Sequence, residues 1–249
     1  MAAAHHGAAP MVLGITGPQG SGKSTLAAEL AAAVPGAAVL SLDDLYLGRD
    51  TRRRLARDVH PLLATRGVPG THDVDLGITT IAALRRGDAV RLPRFDKAID
   101  DRLPDKQWPV AGPACPLIVV EGWCLGAPAM PEGLLVDPVN ALEAEEDRDG
   151  VWRRWVNRHL AVAYTALWQP IDALLWLAPP SFETVVQWRQ QQEAALRSTA
   201  PQGTAVMDDA AVVRFVAHYE RITRWMIERM PEMADRTIHL DEGRRMVPV

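Results

Sequence analysis

Gly17-Pro18-Gln19-Gly20-Ser21-Gly22-Lys23-Ser24 is the stretch on which the fold turns. It has the spacing G-x4-G-K-[ST] of a loop that cradles phosphate. Its surroundings are those the loop requires. The apolar run Met11–Thr16 reads as a strand, and the alanine-rich residues that follow read as a helix. Each residue type has a physical reason. Glycines let the backbone curl so that its N–H groups converge on an anion. The helix N-terminus behind them adds partial positive charge. Lys23 can then reach the β- and γ-phosphates of a nucleotide, and the Ser24 hydroxyl can ligate Mg²⁺. The nucleotide-binding set is Gly17, Gln19, Gly20, Ser21, Gly22, Lys23, Ser24 and Thr25. Alone, the loop says "nucleoside triphosphate" and no more.

Outward from the loop, short apolar runs alternate with helical patterns: Met11–Thr16, Ala37–Leu42, Leu117–Val120, Ala173–Leu177 and Thr237–Leu240. Short continuous runs of this kind suit strands buried on both faces, so the expectation is an α/β fold with a central parallel sheet. Between them, Asp75 is the expected cap of a helix through Ile78, Ile81 and Leu84 that stops at Gly87. Val151–Trp168 reads as a long helix whose tryptophans pack in the core. Val212, Val216, Tyr219, Ile222 and Met226 recur on one helical stripe. Leu47–Gly70 and the proline-rich Asp88–Pro116 fit no regular element and read as functional loops. The acidic run Glu143–Asp149 reads as a solvated turn.

Carboxylates at two further strand ends narrow the chemistry. The second strand runs into Ser41-Leu42-Asp43-Asp44-Leu45-Tyr46, and the third into Val119-Val120-Glu121-Gly122. Ligands of open α/β sheets sit outside the carboxyl ends of the strands, so these residues should converge with the loop. One carboxylate suits a Mg²⁺ position, and a second suits a base that accepts a proton from an attacking hydroxyl. No Asn-Lys-x-Asp guanine motif and no Leu-Ser-Gly-Gly-Gln signature is present, which leaves adenine as the default base.

Composition excludes other classes. Of 249 residues, 48% are hydrophobic and 23% charged, and the net charge is -4, so no basic surplus drives binding to nucleic acid or an anionic membrane. No apolar run reaches the roughly 18 residues of a membrane helix. Residues 1–10 lack the features of a secretory signal and read as a disordered tail before a single domain spanning 11–249. Cys115 and Cys124 read as reduced thiols of a cytoplasmic protein.

Together, these motifs resemble the D-glycerate 3-kinase family, relatives of uridine kinases, phosphoribulokinases and bacterial pantothenate kinases. The resemblance runs from about Met11 to Leu240. Its narrow part is Gly70-Thr71-His72-Asp73, Pro93-Arg94-Phe95-Asp96-Lys97 and Glu121-Gly122-Trp123, with Val186-Gln187-Trp188-Arg189 further on. It implies the P-loop NTPase fold, with five parallel strands in the order 2-3-1-4-5, and a lid near residues 189–208. It implies ATP and Mg²⁺ as cofactors and a small hydroxy acid as substrate, D-glycerate before others. By the same resemblance Asp43 is the general base and Glu121, with Ser24, is metal-linked. Asp44, Tyr46, His72, Asp73, Arg94, Asp96 and Lys97 face the acceptor, and Arg189 acts from the lid with Lys23 in catalysis. The residues themselves ask for at least one cation to hold an acceptor's carboxylate, with Arg66, Arg94, Lys97 and Arg102 available. They leave open a nucleoside or pantothenate-like acceptor, and a non-catalytic ATP-binding regulator.

Overall fold

The computed structural model describes residues 9–113, 115–199 and 207–248. Residues 1–8 of the expected tail and 200–206 of the expected lid lie outside them. Five strands build the central sheet: β1 (Met11–Thr16), β2 (Ala38–Ser41), β3 (Leu117–Gly122), β4 (Ala173–Ala178) and β5 (Arg236–His239). All are parallel and lie in the order β2-β3-β1-β4-β5, as expected.

Alternation along the strands explains the layers. In β3, Ile118 and Val120 join the larger core, while Val119 between them faces the smaller one with Ile15, Ala27 and Trp188. The smaller face is covered by α1 (Lys23–Ala33). α2 (Arg49–Asp58) and α3 (Val74–Arg85) lie in the connection between β2 and β3. The connection from β3 to β4 holds α4 (Ala141–Glu146), α5 (Val151–His159), a π-turn (Leu160–Tyr164) and α6 (Thr165–Trp168). α7 (Phe182–Thr199) and α8 (Asp209–Met233) precede β5 and pack on each other. Among the described residues, no helix is long and apolar enough to cross a membrane.

Several expectations are corrected. α3 is capped by Asp73, whose carboxylate accepts from the Leu76 N–H at 3.1 Å, and Asp75 falls inside its first turn. Leu47–Gly70 contains α2. Its stripe is too polar to register as a periodic pattern, and buried Arg52 anchors it by donating to the Leu47, Ala64 and Asp100 carbonyls. Asp88–Pro116 is not irregular throughout. It forms two antiparallel ribbons, Val90–Arg91 with Val110–Ala111 and Phe95–Asp96 with Asp101–Arg102. Two-residue strands are too short to leave an alternation in sequence.

The acidic run is corrected most sharply. Glu143 and Asp147, one helical turn apart, are buried. Glu143 pairs with Arg221 of α8 at 2.6 Å, and Asp147 pairs with Arg153 at 3.1 Å. Glu145 and Asp149 stay exposed. A charge run reads as uniformly solvated in one dimension, but the helical period divides it into a buried and a wet face.

Candidate active site

The phosphate loop leaves β1 at Thr16 and curls through Gly20 (φ 81°) and Gly22 (φ 86°), both in the left-handed region that glycine adopts without steric cost. Gly22 caps α1 without any side-chain bond, so the first N–H groups of the helix stay available to an anion. Gly20 is also a packing requirement, since a Cβ there would lie 2.7 Å from the Trp188 Cβ.

Register brings the second component. Ser41 of β2 and Ile15 of β1 both lie opposite Glu121 in β3. Glu121 Oε1 accepts from Ser24 Oγ at 3.1 Å and from Ser41 Oγ at 2.6 Å. Its Oε2 is buried with no partner among the described residues. A serine hydroxyl beside an unsatisfied carboxylate oxygen, next to open helix N–H groups, suits a Mg²⁺ that keeps waters and phosphate oxygens as its remaining ligands. No cluster of three or more carboxylate, histidine or cysteine side chains competes for that role among the described residues.

Asp43 sits just past β2, in a 3₁₀ turn (Leu42–Leu45) started by Ser41, whose Oγ accepts from the Asp43 N–H at 3.3 Å. Both carboxylate oxygens are engaged. Tyr46 donates its hydroxyl to Oδ1 at 2.6 Å, and Lys97 donates to Oδ2 at 2.6 Å. Burial alone would raise this carboxyl, but Lys97, Lys23 and the Tyr46 hydroxyl outweigh it and hold Asp43 at about 2. These neighbours favour the ionised form of Asp43.

Asp44 faces elsewhere. It accepts from the Phe95 N–H and from Arg94, each at 3.0 Å, and so fastens the Phe95–Arg102 ribbon over the sheet edge. Burial raises its carboxyl against the pull of those two donors. Asp73 caps α3 and pairs with Arg102 at 3.1 Å. Asp96 accepts from the Ala98 N–H at 2.8 Å within the ribbon turn. Arg94, Asp96 and Lys97 thus arrive as one unit, with Lys97 reaching the Asp43 carboxylate.

His72 joins through the aromatic wall. A single backbone bridge pairs Tyr46 with His72, and their rings stack at 4.9 Å. The Gly70 N–H donates to the Tyr164 oxygen at 2.9 Å, and the same oxygen is hydrogen-bonded to His72 Nδ1, 2.5 Å away. His72 Nε2 is buried without a partner among the described residues. Burial pushes His72 down to about 3, against the opposing pull of Asp43, and the ring is neutral. A stability consequence follows. The unfolded histidine gains a proton below about pH 6.5 that the native ring refuses, so stability is full above that pH and falls as pH drops toward 3. The limit is about 1.4 kcal/mol per pH unit. His72→Gln is expected to lose about 1–2 kcal/mol less than wild type between pH 6.5 and 5, read from urea midpoints. An unchanged pH slope would contradict the assignment.

Arg189 lies at the middle of α7. It is ion-paired with Glu193, bonded to Gln192 at 3.2 Å, and set over the Phe215 ring at 5.3 Å. Arg197 pairs with Asp209 at the start of α8. Three contributors were not singled out from sequence. Ser41 was legible in principle, because the register of β2 against β3 sets it opposite Glu121. Tyr164 gave no signal, since a π-turn follows no simple hydrophobic period. Arg244, which donates to the Gly20 carbonyl at 2.8 Å and stacks over Trp188 at 5.5 Å, comes from beyond β5 and has no motif.

With this geometry the comparisons can be placed. An uncharacterized kinase of Schizosaccharomyces pombe, mug58, is 36% identical over 229 residues, covering 84% of this chain and 78% of that one. The chain belongs to the D-glycerate 3-kinase-like family of P-loop kinases. The chloroplastic D-glycerate 3-kinase of Arabidopsis thaliana is 34% identical over 84% of this chain, and the match spans 46% of that longer enzyme. The D-glycerate 3-kinase-like fold extends to the D-glycerate 3-kinase structure from Cryptococcus neoformans, with TM-score 0.77, 24% identity, and 96% and 89% of the two chains covered. No family model matches the chain. It is a small-molecule kinase, and kinases of this fold generally use ATP and Mg²⁺.

Proposed function

We propose that this kinase transfers the γ-phosphoryl group of MgATP to a hydroxyl of a small acid, and that the acid is D-glycerate, giving 3-phosphoglycerate. The observation that carries the reading is Asp43. It is an ionised carboxylate beside the phosphate loop, in contact with the cation Lys97 and flanked by further cations of the same ribbon. A site for a hydroxy acid needs this combination of a proton acceptor and a cation.

The remaining roles follow from position. The loop amides and Lys23 hold the phosphates. Ser24 and Glu121 hold Mg²⁺, which when bound neutralises charge on the phosphate oxygens. Asp43 orients the acceptor hydroxyl and takes its proton. His72 and Tyr46 wall the acceptor side, with Asp44 and Asp73 fixing the cations around it. The segment near 189–208 acts as a lid, with Arg189 released from Glu193 to meet charge on the transferring group. We also assign the protein to the cytoplasm, where the buried, unpaired Cys115 and Cys124 stay reduced.

The test is ADP release from MgATP by purified protein with D-glycerate, uridine, pantothenate or ribulose 5-phosphate, followed by identification of the product. Strong stimulation by D-glycerate alone is expected, with phosphate at the 3-position. Stimulation by uridine alone, or by none of the four with nucleotide binding intact, would overturn the acceptor assignment.

A further inference from the structure

Four cations surround the acceptor side, and three are built into the frame. Arg94 holds Asp44 and the Pro93 carbonyl. Arg102 holds Asp73 and the Tyr46 carbonyl. Arg66 holds Asp100, which also carries Arg52. Lys97 differs on every count. Its recorded partner is Asp43, its side chain is 59% exposed, and it rises from the turn of the Phe95–Arg102 ribbon. It is also one of only three lysines, with Lys23 and Lys106, in a chain that otherwise uses arginine for its cations. A guanidinium fork is fixed by its several bonds, whereas an ammonium on a flexible stem can change partners.

The position of Lys97 poses a conflict. An acceptor hydroxyl must hydrogen-bond to Asp43 before phosphoryl transfer, and each oxygen already accepts one bond, Oδ1 from Tyr46 and Oδ2 from the Lys97 ammonium. Tyr46 is buried and stacked on His72, so its bond does not yield readily. The Lys97 bond is the one that can open.

We propose that Lys97 selects acidic acceptors by exchange: the acceptor's carboxylate draws the Lys97 ammonium off Asp43, and the vacated Oδ2 receives the acceptor's hydroxyl. This deepens the hydroxy-acid reading above and rests on it. The exchange replaces one carboxylate by another on the same ammonium, so the number of ion pairs is unchanged. A neutral alcohol offers Lys97 nothing, and the pair stays closed over the base. Removing the ammonium also lets the Asp43 carboxyl rise from its depressed value, which makes it a better proton acceptor at the moment it is needed. The step then balances. The acceptor oxygen bonds to the γ-phosphorus, and the bond from that phosphorus to the β–γ bridging oxygen breaks. Its electron pair leaves with ADP, and the hydroxyl proton passes to Asp43.

The experiment compares kcat/KM for D-glycerate with that for glycerol, which keeps the carbon chain and hydroxyls but lacks the carboxylate. It is run on wild type, Lys97→Met and Lys97→Arg, with ADP binding as the check on folding. The expected result is a glycerate-to-glycerol preference that falls at least about thirtyfold in Lys97→Met, the scale of one charge-assisted hydrogen bond, and is partly restored in Lys97→Arg. A Lys97→Met enzyme that keeps the preference, or loses both acceptors in equal proportion, overturns the exchange while leaving the hydroxy-acid reading standing. A wild-type enzyme that phosphorylates only neutral acceptors overturns both. If it accepts a different hydroxy acid, glycerate falls as the substrate, and the same ratio is read for that acid against its alcohol.

Discussion

Asp43→Asn is expected to lower kcat at least a hundredfold. The amide keeps the shape of the carboxylate and still offers an oxygen to the Tyr46 hydroxyl, so the 3₁₀ turn behind β2 should hold. What it loses is the charge and the capacity to take a proton. General-base contributions span about 10²–10⁴ in rate. The loss should appear in kcat more than in ATP binding, because the role proposed for Asp43 is on the acceptor and not on the phosphates. Single-turnover measurements with saturating nucleotide check this. A folded variant that binds ADP normally and turns over at near wild-type rate would remove Asp43 from the chemistry.

Lys23→Ala should cost a comparable factor for a different reason. The phosphate loop supplies N–H dipoles, but Lys23 is the first side chain of α1 and supplies a full positive charge at the loop. That charge is felt as far as Asp43, where it helps to keep the carboxylate ionised. Without it, the charge developing on the transferring group loses its nearest fixed side-chain cation at the loop. We expect kcat/KM to fall at least a hundredfold at constant Mg²⁺, with circular dichroism unchanged. Retained activity would mean that another cation reaches the phosphates.

How much of this was legible in the sequence depends on the range of the interaction. The five strands followed from apolar runs, because parallel strands buried on both faces leave continuous hydrophobic segments, whereas their order came from the family resemblance. Glu121 and Asp43 were legible as strand-end carboxylates, and the register of β2 and β3 against the loop brings them together. The contacts that set their chemistry were not. That Lys97 rests on Asp43 depends on how a two-residue ribbon folds back across 54 positions of sequence. That Asp73 caps α3, and Asp75 does not, turns on a backbone angle that both residues could adopt. Buried Glu143 was read as a solvated charge, and buried Arg52 fell in a segment read as an irregular loop, because composition carries no information about which side of a helix meets the core.

One contact reaches further than the site. Arg244, held in the left-handed region at φ 65°, clasps the Gly20 carbonyl across 224 residues of sequence. It also bonds to Gln191 at 2.8 Å, and Trp188 donates to the Glu242 carbonyl at 2.7 Å, so the same turn holds the middle of α7. A ribosome makes chains from the N-terminus, and domains fold as their parts emerge. The phosphate loop is synthesised more than two hundred residues before the arginine that steadies it. On a nascent chain the Gly20 carbonyl lacks this clasp until the segment carrying Arg244 has left the exit tunnel. Capacity to hold a nucleotide should therefore arrive late and all at once, and ribosome-bound intermediates stalled short of Arg244 should retain none of it.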